Sequence, residues 1–191
     1  MTKRIAIIPA RGGSKRIPGK NIKNFCGKPI ISYTLEEVKK SELFDVIHIS
    51  TDSEEIKKVV QDLGFLVDFM RDEALSDDYT PIMPVLKWVL EEYNSRGECF
   101  DEVAMIMPCT PFIDSDDLVN ASKLSKAGNY KKPVLAVSLY SAPIEWAFTL
   151  AEDQILKPVN KEILEKRSQD LEDHYFDTGS FCFFSSKYIL N

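Results

Sequence analysis

One stretch near the N-terminus, Arg11-Gly12-Gly13-Ser14-Lys15-Arg16-Ile17-Pro18-Gly19-Lys20-Asn21, combines glycines and a proline with four cations. Backbone N–H groups of a Gly-rich loop leaving a strand can approach phosphate oxygens closely, and neighbouring Lys and Arg supply the positive charge those oxygens need. Arg11, Ser14 and Lys15 are placed for that chemistry. The stretch is not a Walker A loop: five residues before Gly19 stands Ser14 instead of Gly, and Lys20 is followed by Asn21 instead of Ser or Thr. It also lacks GxGxxG. An ATPase or a dinucleotide oxidoreductase is therefore disfavoured.

The chain around this loop is acidic, with a formal charge of -6, which argues against a general nucleic-acid binder. Its basic residues are unevenly spread: Lys3, Arg4, Arg11, Lys15, Arg16, Lys20, Lys23 and Lys28 precede the first acid, Glu36. They predict one basic zone on an acidic protein. A length of 191 residues, 44% of them hydrophobic, suits one globular domain. No apolar run approaches the ~20 residues of a membrane span, and no signal-peptide pattern opens the chain, so the expectation is a cytoplasmic protein without membrane contact. Cys26, Cys99, Cys109 and Cys182 form neither a metal knuckle nor a disulfide framework and are expected to be reduced, mostly buried thiols.

The elements that must position the loop follow from apolar spacing. Arg4 to Ala10 reads as a central strand, without polar alternation. Val46–Ser50, Val103–Met107 and Val134–Ser138 read as further strands. Helices are predicted after Pro29, with Ile31, Leu35 and Val38 on one side; from Ser53, with Ile56, Val59, Val60 and Leu63, stopped by Gly64; from Pro81, with Val85, Leu86, Val89, Leu90 and Tyr93; and from Ser115 to about Lys126. This alternation predicts an α/β fold with a mostly parallel central sheet flanked by helices, and ligands at the strands' C-terminal ends. Asp52 suits either a helix N-cap or a ligand contact. His48 and His174 show no catalytic partner, and Trp88 is read as core.

The longer string Ile8-Pro9-Ala10-Arg11-Gly12-Gly13-Ser14-Lys15, with Lys20-Asn21 and Gly27-Lys28-Pro29, resembles the N-terminal signature of the cytidylyltransferases that activate sialic acids. Ser50-Thr51-Asp52-Ser53 is similar to that family's second-strand motif, Arg71 with Asp78 and Thr80 to its next nucleotide-side loop, and Arg167-Ser168-Gln169-Asp170-Leu171 to its sugar-side segment. Lys15-Arg16-Ile17-Pro18 looks most like the pseudaminic acid branch. The enzymes for N-acetylneuraminate carry Gln-Pro-Thr-Ser-Pro where this chain has Met107-Pro108-Cys109-Thr110-Pro111, and Met107 has no amide to offer the sugar.

The resemblance implies a Rossmann-like nucleotidyltransferase fold and transfer of CMP from CTP to the anomeric hydroxyl of an acidic nine-carbon sugar, with release of pyrophosphate and magnesium as cofactor. Arg11 and Lys15 would be catalytic; Ala10, Gly12, Gly13, Ser14, Lys20, Asn21, Asp52, Arg71 and Thr80 would bind the nucleotide. Thr110, Arg167 and Gln169 would face the sugar, although Arg167 and Gln169 also suit a dimer arm. A homodimer is implied, with a dimerisation and sugar-binding extension at 140–175 within the single domain 1–191; Trp146 and Phe148 there fit an interface or a core. The family's C-terminal Asp pair for magnesium has no counterpart here, which reads as a chain lacking that segment, with Asp52 a weak substitute. Other readings are an enzyme for the eight-carbon lipopolysaccharide sugar acid and a non-catalytic nucleotide-binding module.

Overall fold

A computed structural model describes residues 2–161 and 166–191. In chain order, β1 (Arg4–Pro9) leads through the glycine loop to a short hairpin of β2 (Asn24–Phe25) and β3 (Lys28–Pro29), then to α1 (Ile30–Lys40) and β4 (Val46–Ser50). There follow α2 (Glu54–Asp62), α3 (Ile82–Ser95), β5 (Glu102–Ile106), α4 (Ser115–Ala127) and β6 (Val134–Leu139). A second hairpin, β7 (Phe148–Leu150) with β8 (Leu156–Pro158), precedes the long β9 (Tyr175–Ser185) and the short α5 (Ser186–Leu190).

Five strands form one sheet in the order β4-β1-β5-β9-β6. Ile5, Ala6, Ile7 and Ile8 of β1 are all fully buried, as a strand covered on both faces requires. β1 runs parallel to β4 and to β5, whereas β9 runs antiparallel to β5, with Val103 opposite Phe184. The sheet is therefore mixed. On one face α3 buries Leu86, Val89, Leu90 and Tyr93 against Ile5, Ile7, Val103 and Phe184.

Local signals set the helix ends. Ser53 accepts the Ile56 amide at 3.3 Å and caps α2, and Gly64 adopts φ +83 just past its end, where a side chain would be strained. Asp114, one residue earlier than the sequence suggested, caps α4 in a capping box with Asp117. The cysteines depart from expectation. Cys26 and Cys99 are exposed because they sit in the β2–β3 turn and in the loop after α3; Cys109 is half-buried and Cys182 buried.

The chain divides into two compact units, residues 1–135 with 179–191, and residues 136–178. The second unit holds β7 and β8 and, within residues 136–178, pairs the ring of Tyr140 with that of Phe176 at 5.1 Å. The expected extension at 140–175 falls in this unit, apart from positions 162–165, which lie outside the described residues.

His48 is fully buried in β4. The Tyr93 hydroxyl has one proton and gives it to Asp68, so His48 carries its hydrogen on Nδ1 and donates to the Tyr93 oxygen at 3.2 Å. Its Nε2 is buried without a partner. Burial, then the charges of Arg71 and Arg96, push its pKa down to about 3. The unfolded chain thus binds a proton that the folded chain refuses, so stability is full above the unfolded pKa and falls as pH drops through about 6.5. At pH 5 the loss should reach about 2 kcal/mol. Thermal melts at pH 7 and pH 5 should show it, and His48→Phe should flatten the difference.

Candidate active site

β1 and β5 run parallel and end side by side, and beyond their C-terminal ends opens a cleft of about 520 Å³, a volume suited to a small-molecule ligand. Arg11, Arg16, Lys20 and Arg71 bring four cations to it against the carboxylates of Asp77 and Asp78; Ile17, Ile82, Val85 and Met107 form its apolar wall. Of the residues named from sequence, the cleft gathers Arg11, Ser14, Lys20, Asn21, Arg71 and Thr80.

The glycine loop is held from below. Ala10 is buried and donates its amide to Ser50 O at 2.8 Å, continuing the pairing of β1 with β4. Gly12 donates to Asp52 Oδ1 at 2.8 Å, and a Cβ on Gly12 would stand 2.9 Å from Ser53 Cβ, so only glycine lets the loop lie this close to the start of α2. Asp52 is thus neither the cap of α2, which is Ser53, nor a cleft-lining residue; it ties down the loop. The Ser14 amide turns back to Gly12 O at 2.9 Å. Grouped in sequence with the phosphate-binding amides, Gly12 and Ser14 direct their N–H groups inside the protein. Among the described residues, Gly13 and Lys15 keep amides without an internal acceptor.

Arg11 is oriented by the loop before α3: its guanidinium donates to Asp77 O at 2.7 Å and to Asp78 Oδ1 at 2.8 Å. Asp78 also pairs with Lys15, and the two cations, Lys15 foremost, hold its carboxyl below the usual range. Asp77 Oδ1 accepts the amides of Tyr79 and Thr80, and the Thr80 hydroxyl leads in depressing its pKa. Lys15 itself is 81% exposed in its side chain and does not line the cleft.

Arg71 is buried. Its side-chain hydrogen bonds run to Ser50 Oγ at 3.0 Å and Ser50 O at 2.7 Å, neither of which carries negative charge. Burial, with Arg11 adding to it and Asp52 opposing, pushes its pKa down to about 10, so it stays charged at neutral pH. Among the described residues it makes no ion pair, and a buried cation of this kind at a cleft is suited to an anion.

Thr110, expected at the sugar, lies outside the cleft lining: its hydroxyl donates to Met107 O at 2.7 Å and closes the turn after β5. Arg167 and Gln169 belong to the second unit, where Arg167 pairs with Asp170 at 2.9 Å through Nε. Phe148 is exposed and Trp146 half-buried. The basic zone divides, since Lys3 and Arg4, before and at the start of β1, pair with Glu98 and Glu102, leaving the cleft to cations beyond the strand's end. Sequence reasoning passed over Arg16, Asp77 and Cys109. Arg16 was legible as a fourth cation of the loop; Cys109 gave no signal beyond its place in a Pro-rich turn.

The resemblance implies magnesium. Among the described residues no three His, Cys, Asp or Glu side chains gather to hold an ion, and Asp52 and Asp78 are engaged by protein donors. The described side chains do not fit a protein-built magnesium shell.

A mixed sheet with parallel core strands, a cationic glycine loop leaving the first strand, and a buried arginine beside it define a Rossmann-like nucleotidyltransferase. The chain belongs to the cytidylyltransferase family, whose sequence profile matches residues 5–182. It is 39% identical over 185 residues, 97% of this chain and 79% of the relative, to a pseudaminic acid cytidylyltransferase of Campylobacter jejuni. It is 32% identical over 155 residues, 81% of this chain and 66% of the relative, to a CMP-N,N'-diacetyllegionaminic acid synthase of Legionella pneumophila. Its fold is similar to a solved CMP:2-keto-3-deoxy-manno-octonic acid synthetase complexed with CTP, with a TM-score of 0.74 over 100% of this chain and 77% of that one, at 19% identity.

Proposed function

We propose that this protein transfers CMP from CTP to the anomeric hydroxyl of a nonulosonic acid, pseudaminic acid before N-acetylneuraminic or legionaminic acid, and releases pyrophosphate. The observation that carries this reading is the pair of arginines, Arg11 and Arg71, at one strand-end cleft beside a glycine loop with unused amides. When the hydroxyl attacks the α-phosphorus, negative charge grows on the nonbridging and leaving oxygens, and cations fixed in advance stabilise that charge more than they do the ground state. Arg11, oriented by Asp78, and the charge of Arg71 supply this. Gly13 and Lys15 amides cradle phosphate. Magnesium, if bound, would rest on the triphosphate oxygens and offset their charge, since the described side chains form no shell for it. The reaction belongs to the cytoplasm, and no helix among the described residues is long and apolar enough to cross a membrane.

Met107 in the cleft wall favours the pseudaminic substrate, because an apolar side chain offers nothing to a sugar group that another enzyme pairs with an amide. Steady-state pyrophosphate release should give kcat/KM at least about 10-fold higher for pseudaminic acid than for N-acetylneuraminic acid. Equal values would refute the preference.

Assembly as a homodimer is the second part of the proposal. In the second unit Leu150, Leu156, Val159 and Tyr175 are all more than half exposed, a density of apolar surface that a partner copy would cover. Light scattering at micromolar concentration should return twice the 21.7 kDa chain mass; a monomer would contradict it.

A further inference from the structure

The cleft contains a hydrogen-bond chain that the phosphate chemistry does not use. Asn21 is 4% exposed, and both ends of its amide are engaged: Nδ2 donates to Arg11 O at 2.9 Å, and Oδ1 lies 3.2 Å from Cys109 Sγ. Arg11 O is a carbonyl and can only accept, so the amide has one orientation, with Oδ1 toward sulfur. The thiol must then be the donor, and of its two acceptors Asn21 Oδ1 is the nearer, the Lys20 carbonyl lying 3.7 Å from sulfur. Burial favours that state, raising the Cys109 pKa against the opposing charge of Lys20, so the proton stays on sulfur at neutral pH.

The turn that carries Cys109 is itself anchored. The Thr110 hydroxyl closes it onto Met107 O, and the buried Thr34 hydroxyl of α1 lies 3.2 Å from both Pro108 O and Thr110 Oγ1. Beside the Gly12–Asp52 and Arg11–Asp78 ties, a further route from fixed elements to the glycine loop runs through this turn: α1 and the end of β5 hold the turn, the turn presents a thiol, the thiol orients Asn21, and Asn21 holds the Arg11 backbone. Between Arg11 and Asn21 the chain has Gly12, Gly13 and Gly19, the last at φ +61; Gly12 is tied to Asp52 and the Arg11 and Lys15 side chains to Asp78, and the Asn21 link adds a hold on the Arg11 carbonyl itself.

We propose that Cys109 and Asn21 are positioning residues: the thiol locks the Asn21 amide onto the carbonyl of Arg11 and thereby sets where the Arg11 guanidinium meets phosphate. Asn21 then acts through Arg11, with one N–H and one oxygen lone pair of its buried amide committed inside the protein. The kinetic consequence rests on the cytidylyltransferase reading above; the physical consequence, a tethered loop, does not.

The test compares Cys109→Ala, which removes the donor, with Cys109→Ser, which keeps one. Two readouts are taken on each purified protein: amide hydrogen exchange of peptides covering residues 11–21, and kcat and KM for CTP. Cys109→Ala should speed exchange in the loop at least about 5-fold and lower kcat about 10-fold with a smaller change in KM, because a misplaced group costs rate more than ground-state affinity. Cys109→Ser should return both to within about 3-fold of the parent protein, as a hydroxyl donates to the same acceptor. Parental exchange and kinetics in Cys109→Ala would overturn the proposal, and so would a Cys109→Ser protein that behaves like Cys109→Ala, since packing and not donation would then matter. If exchange responds as described while the parent protein never turns over CTP, the tether stands and the cytidylyltransferase reading fails.

Discussion

Replacing Arg11 by Ala is expected to lower CTP turnover by about 100-fold or more, the scale seen when a preorganised donor to transition-state charge is removed. The structure gives the reason in its partners. A guanidinium held by Asp77 O and Asp78 Oδ1 has one orientation before substrate arrives, so little reorganisation remains at the moment of reaction. Asp78 also carries Lys15, and that sets a contrast with the sequence, where Arg11 and Lys15 looked equivalent. Lys15 is exposed and engages the far oxygen of the same carboxylate, so Lys15→Ala should lose less than Arg11→Ala. Steady-state pyrophosphate release for both variants checks the order; near-parental turnover in Arg11→Ala would remove its catalytic role.

The second large effect is expected at Arg71. Arg71→Met keeps most of the volume but deletes a buried charge, removes the donor to Ser50 Oγ and leaves Ser50 O with the Ala10 amide alone, a loss of about 1–3 kcal/mol for an unsatisfied buried group. Its turnover should fall by about 100-fold, because the charge faces the cleft and no carboxylate among the described residues pairs with it directly. Ligand linkage separates the two effects. CTP at 100 times Kd should stabilise the parent protein by about 2.7 kcal/mol, seen as a raised Tm, and should leave Arg71→Met nearly unmoved. Arg71→Lys keeps charge but loses the planar fork to Ser50 and should fall between them. A Tm shift with CTP that survives in Arg71→Met would exclude the residue from the nucleotide site.

Much of the scaffold was legible. The unalternating Ile5 to Ile8 run announced a strand covered on both faces, and the spacing from Val85 to Tyr93 announced α3, because both signals are periodic and local. The direction of β9 was not legible: its apolar residues tell of burial, and burial is the same for a parallel or an antiparallel neighbour. The loop's phosphate chemistry could be read from glycines and cations lying together in sequence. Its restraints could not, since Gly12 meets Asp52 across 40 positions, Arg11 meets Asp78 across 67 and Asn21 meets Cys109 across 88. Such pairs leave no spacing pattern. Thr110 and Asp52 show the same limit in another form, for a polar residue next to a strand end reads alike whether it faces a ligand or closes a turn.

The central claim is that this cleft joins CMP to a nonulosonic acid, and phosphorus NMR of the purified protein with CTP and pseudaminic acid in magnesium buffer tests it most directly. The account predicts that the triphosphate signals are replaced by free pyrophosphate and one phosphodiester signal of the CMP-sugar in equal amounts, only when both substrates are present, and far more slowly when UTP replaces CTP. Intact CTP in the presence of every nonulosonic acid tried, from a protein whose Tm still rises with CTP, would contradict it and leave a nucleotide-binding protein without transferase activity.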